Sequence, residues 1–158
     1  MKKHILILFI LISHIGFSQN ITGGEEIDIK DAPYQISFEL NGIHSCGGSI
    51  LNNRFVLTAA HCLTEVDWTD ITIKAGVTKR SNPVNTSQAF TVRNVISHLG
   101  FDQNNRINAL NFDSDLALIE IDGEFTFNEY VQPVELISGA NLPLENIGNI
   151  VKVSGWGW

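Results

Sequence analysis

The chain has 158 residues, 44% of them hydrophobic and 17% charged, and its 17 acidic and 10 basic side chains give a formal charge of −7. That length fits one domain, and that composition excludes a disordered or low-complexity chain. The acidic balance excludes nucleic acid as the expected partner, since phosphates would be repelled. Two cysteines are too few for a disulfide-dense scaffold or for a zinc site built from cysteine alone.

Met1-Lys2-Lys3 is a positive start, followed by an apolar run over 5–12 that continues, broken by Ser13 and His14, to Phe17. A membrane span needs about 20 apolar residues, so residues 1–18 read as a signal peptide, with Gly16 and Ser18 offering the small side chains of a cleavage site. The expectation is a secreted or extracytoplasmic protein with no stable membrane anchor. Cleavage after Ser18 leaves 19–20 as a short propeptide ahead of Ile21.

Residues 33–40 alternate apolar and polar side chains, and Asn41-Gly42 is a strong hairpin signal before 43–46. Gly47-Gly48 interrupts the second strand, as a bulge or a close backbone approach. The next strand covers 54–58, and 59–63 makes one helical turn carrying His61. Strands are expected again at 71–75 and 89–96, joined by the polar loop 78–87 with Asn82-Pro83 as its turn. The interval 77–88 holds no Asp or Glu, so no calcium is expected there. His44 and His98 read as structural or solvent-facing, and the Asn-rich 103–112 as a surface loop. Asp113-Ser114-Asp115 precedes a buried strand over 116–121; taken locally it is a turn or half of a metal site. Residues 125–132 are a looser segment, and 150–157 again resemble a strand. Short β-runs separated by turn residues point to an all-β barrel or sandwich.

Chemistry concentrates at Thr58-Ala59-Ala60-His61-Cys62. A ring at the end of a rigid strand, with small neighbours for clearance, can be aimed at a substrate bond. A lone histidine in an apolar segment is more often a core or surface residue, so this setting does not decide the matter. The other cysteine stands in Ser45-Cys46-Gly47-Gly48-Ser49. Export favours a Cys46–Cys62 disulfide, with two buried free thiols as the alternative.

Ile21-Thr22-Gly23-Gly24, Cys46-Gly47-Gly48-Ser49, Thr58-Ala59-Ala60-His61-Cys62, Asp115-Leu116-Ala117-Leu118 and Ser154-Gly155-Trp156-Gly157 follow one another in the order found in the trypsin/chymotrypsin-like serine proteases. The chain resembles that family over nearly everything after residue 20. The resemblance implies a trypsin-like domain over 21–158, with 21–145 as a first Greek-key β-barrel and connector and 146–158 as the first strand of a second barrel. It implies His61 as general base, Asp115 as the carboxylate that orients it, and Ile21 as a mature N-terminus freed by a maturation protease. Asn20 stands where an Arg or Lys would invite a trypsin-like activator. Protein or peptide substrates are implied, with no cofactor and no metal.

One part of the pattern is missing from these residues. No Gly-Asp-Ser-Gly-like stretch follows Asp115; Ser138 precedes Gly139-Ala140, and Ser154 lies inside the Gly-Trp-Gly motif. The expectation is therefore the front part of a secreted serine endopeptidase, a fragment without the nucleophile and inactive as given. The competing reading is a non-catalytic, protease-like binding module. Such a module has no need of both His61 and Asp115, so the enzyme reading leads.

Overall fold

The computed structural model describes residues 24–80, 86–101, 114–136, 148 and 150–157. The signal segment, the pair 19–20, Ile21 and the loop 103–112 lie outside the described residues.

Six strands form a closed antiparallel barrel: β1 (Gln35–Leu40), β2 (Ile43–Ile50), β3 (Phe55–Thr58), β4 (Ile71–Ala75), β5 (Gln88–Ser97) and β6 (Ala117–Ile121). The order around the barrel is β1, β2, β3, β6, β5, β4, and β4 returns to pair with β1. That crossing of sequence order is the Greek-key pattern, and closure leaves no exposed sheet edge. The all-β barrel expected from the sequence is the fold observed.

Side-chain alternation explains the inner face. Ile71, Ile73 and Ala75 of β4 and Ala117, Ile119 and Ile121 of β6 point inward and are buried. All of these but Ala117 pack with Ile36, Phe38, Ile50 and Val56 into one core. Asn41 and Gly42 both take positive φ, 51° and 78°, as the tight turn joining β1 to β2 requires.

At three places the structure refines or departs from the pattern read in the sequence. First, β2 runs straight through Gly47 and Gly48. The irregularity falls earlier: Phe38 faces Cys46 and Glu39 faces His44, which leaves Ser45 unmatched as the bulged residue. Gly48 is the close backbone approach that the sequence allowed, because a Cβ there would lie 2.6 Å from the Leu57 carbonyl oxygen and 3.0 Å from Ile36 Cδ1.

Second, 125–132 is irregular in backbone but closes one side of the core. Phe125 and Val131 are buried, and Phe125 meets Phe90 edge-on at 5.0 Å. Backbone bonds from Phe125 to Asn53, Gln132 to Pro33 and Val134 to Ile50 hold the segment in place.

Third, 150–157 pairs with no strand among the described residues, and Ile150, Val151 and Val153 are exposed. Two side-chain bonds tie its far end to the barrel: Ser154 Oγ donates to Gln35 Oε1 at 2.8 Å, and Trp156 Nε1 donates to the Thr78 carbonyl at 2.9 Å. No helix among the described residues is long and apolar enough to cross a membrane.

Candidate active site

Strand register brings the site together. Thr58, the last residue of β3, lies opposite Ala117, the first of β6. Residues just after β3 and just before β6 must therefore meet at one end of the barrel. His61 occupies the one-turn 3-10 helix Ala60–Leu63 that follows β3, and Asp115 stands two residues ahead of β6. Ser114, with φ 66°, turns the chain into that approach.

The contact is two-pronged. His61 Nδ1 lies 2.7 Å from Asp115 Oδ2, and the His61 backbone N–H donates to Asp115 Oδ1 at 2.8 Å. With the Nδ1 N–H donated to the carboxylate, Nε2 keeps its lone pair and lies on the disulfide side, 3.5 Å from Cys62 Sγ. The carboxylate side chain is 14% exposed and the ring 52%, so the anion is sheltered while the base is open. Burial pushes the Asp115 carboxyl up, but hydrogen bonds from the His61 ring and backbone, with the charge of the ring, outweigh it and hold the pKa below the usual carboxylate value.

Beside the ring, Cys46 and Cys62 form a disulfide with Cα atoms 6.4 Å apart. It ties β2 to the turn that carries His61, closing a loop of the length for which a bridge contributes about 3 kcal/mol in the chain-entropy model. Thr58 Oγ1 adds a bond to the Gly47 carbonyl at 2.8 Å across the same junction. The Cys46 and Cys62 sulfurs and a His61 nitrogen lie within 4.8 Å of one another. Since the sulfurs are bonded to each other, neither is a thiolate, and one imidazole is not a metal-ligand set.

A cleft of about 430 Å³ opens between His61, the disulfide and residues 154–157, with His44 and Arg80 on its far wall. A larger cavity of about 720 Å³, lined by 24–29, Lys74 and 78–80, contains neither His61 nor Asp115. The chemistry therefore belongs to the smaller space.

His44 is half-buried, bonded through Nδ1 to Ser37 Oγ at 2.8 Å, and its ring meets Trp156 edge-on at 5.6 Å. Burial, then Arg80, lowers its pKa against the opposing pull of Glu39, so it stays neutral near pH 7. His98 Nδ1 accepts from the Gly100 N–H at 3.0 Å and shapes a turn. Both behave as the structural histidines expected.

Sequence reasoning missed the polar face of β1, which alternation alone assigns to solvent. Gln35, Ser37 and Glu39 are all buried. Gln35 Nε2 donates to the Gly48 carbonyl at 3.2 Å while Oε1 receives Ser154, so one amide joins β2 to the segment walling the cleft. Glu39 Oε2 lies 2.7 Å from Lys74 Nζ, a charge contact whose direction is poor for a hydrogen bond. The signal available was the hairpin itself, since its polar residues need partners once both faces are covered.

These features define a class, the closed β-barrels that set a histidine on a sheltered carboxylate. Residues 21–158 match the Trypsin family, and the chain belongs to that family of trypsin-like serine proteases. It is 37% identical over 139 residues to Trypsin delta of Drosophila melanogaster, covering 87% of this chain and 49% of that protein. It is 36% identical over 138 residues to Trypsin epsilon of Drosophila erecta, covering 87% and 48%. The solved structure of neuropsin, a serine protease expressed in the limbic system of mouse brain, superposes with a TM-score of 0.63 at 24% identity, over 72% of this chain and 47% of that one, and shows the shared fold. The chain spans about half the length of the curated relatives it matches.

Proposed function

We propose that this chain supplies the general base and its orienting carboxylate to a secreted trypsin-like serine endopeptidase. The observation that carries this reading is the grip of both Asp115 oxygens on His61, through Nδ1 at 2.7 Å and the backbone N–H at 2.8 Å. A serine hydroxyl placed at Nε2 gives up its proton as its oxygen attacks the peptide carbonyl. His61 returns that proton to the departing amine, and Asp115 stays ionised to stabilise the charged ring. The nucleophile and its oxyanion donors come from sequence outside these residues, so the 158-residue chain alone is inactive on peptides.

The same reading takes 1–18 as an export signal and Ile21 as the mature N-terminus, freed from 19–20 by a maturation protease. It takes 21–145 as the first barrel with its connector and 146–158 as the start of the second, acting on proteins or peptides. The family match over 21–158, the trypsin relatives and the His–Asp geometry support the protease part of this reading, and the apolar run after Lys2-Lys3 supports the export part.

The test uses a fluorophosphonate probe on the native protein. One labelled serine outside residues 1–158 is expected, with labelling lost in His61→Ala. Labelling of a serine within these residues, or unchanged labelling in the variant, overturns the proposal.

A further inference from the structure

We propose that the Cys46–Cys62 bridge is a thiol-exchange site, in which a small thiol captures the Cys46 sulfur and His61 receives the departing Cys62 sulfur. Three observations point the same way. His61 Nε2 lies 3.5 Å from Cys62 Sγ, so the only ring nitrogen not held by Asp115 faces that sulfur. Cys62 is 8% exposed, whereas Cys46 is partly open. Both cysteines line the cleft of about 430 Å³ beside the ring, where a small thiol can enter. Cys62 belongs to the buried core and Cys46 packs against it, so a thiol reaches the bridge from the cleft side, at Cys46.

The step balances without an outside oxidant or reductant beyond the thiol itself. A thiolate attacks Cys46 Sγ, a sulfur–sulfur bond forms there, and the Cys46–Cys62 bond breaks with its electron pair leaving on Cys62 Sγ. The protonated His61 ring passes its Nε2 proton to that sulfur or holds it as a thiolate–imidazolium pair. Attack at Cys62 would instead expel the Cys46 sulfur, which lies within 4.8 Å of a His61 nitrogen, whereas the 3.5 Å contact of Nε2 is to Cys62 Sγ. Reversal is intrinsic, because the Cys62 thiol sits where it can attack the mixed disulfide and restore the bridge.

The charged and titratable groups around the ring are Asp115 on Nδ1 and, lining the same cleft, Arg80 and His44. The step needs no nucleophilic serine, so it stands or falls apart from the peptidase reading. Its consequence for that reading is steric: the thiol carried on Cys46 occupies the cleft next to His61.

The experiment treats the full protein, bridge intact, with reduced glutathione for short times, traps free thiols with N-ethylmaleimide, and maps the modified peptides by mass. Glutathione on Cys46 with a trapped Cys62 is expected to exceed the reverse pattern by about tenfold, following the advantage of the better leaving sulfur. In His61→Gln the exchange rate is expected to fall about threefold to tenfold at the same pH. Thiolate concentration is equal for both proteins at a given pH, so it cancels. Equal adducts on the two cysteines, or a variant with the unaltered rate, overturns the proposal. The adduct position is read on the unaltered protein, so it decides the matter even if the variant fails to fold.

Discussion

Both oxygens of Asp115 are spent on His61, which makes this carboxylate hard to replace even by its amide. In Asp115→Asn an amide N–H can face Nδ1 and force the ring into the other tautomer, with Nε2 protonated and unable to accept a serine proton. If the proposed function holds, peptidase turnover is expected to fall by about 10⁴-fold, the scale of this change in triad chemistry, while substrate binding changes little. The same residue sets an acid-side stability term. Its folded pKa lies below its unfolded value, so its contribution is fully present above the ordinary carboxylate pKa and is lost as pH falls through the folded value. Urea midpoints measured across that window are expected to drop less steeply in Asp115→Asn than in the unaltered protein. An equal drop would mean that the His61 contacts do not stabilise the anion.

At the scale of elements, β2 is where local patterning and actual packing part company. Gly47-Gly48 looks like an interruption because glycine is a poor strand former, yet the strand continues since the neighbouring backbone and Ile36 occupy the space a side chain would need. Gly48→Ala is expected to destabilise the barrel by about 1–3 kcal/mol, as overpacking against backbone does, measured by denaturant unfolding. The segment 125–132 is the opposite case, irregular in pattern but tightly packed. Phe125→Ala is expected to cost about 3–5 kcal/mol, the range for emptying an aromatic core site; a loss under about 1 kcal/mol would show that Phe125 only covers a surface. The strands themselves were legible because 71–75 and 116–121 alternate cleanly or run apolar. His61 and Asp115 were legible from their flanking residues. What local pattern could not show is partner choice across long separations: that Gln35 waits for Ser154, or Glu39 for Lys74, is fixed only once the barrel closes.

Over the whole molecule, an apolar core is fully enclosed while a second set of apolar side chains stays outside. Ile150, Val151 and Val153 are 101%, 76% and 77% exposed, on a segment attached mainly through Ser154 and Trp156. Changing Val151 and Val153 together to lysine is expected to lower binding of a hydrophobic-surface dye. Unfolding free energy should shift by no more than about 0.5 kcal/mol, as for surface changes that leave the core alone. A larger loss would place those valines in the barrel's own packing.

Barrel closure also governs when the site comes into being. β6 is the last strand among the described residues, and it seals the barrel by pairing with β3 on one side and β5 on the other. His61 and Asp115, 54 positions apart, touch only through that closure. Pairings of such separation form slowly, because a long stretch of chain must be ordered before they repay it. A newly made chain whose first strands have already folded therefore holds an unoriented histidine, and its base is armed in the same event that completes the barrel.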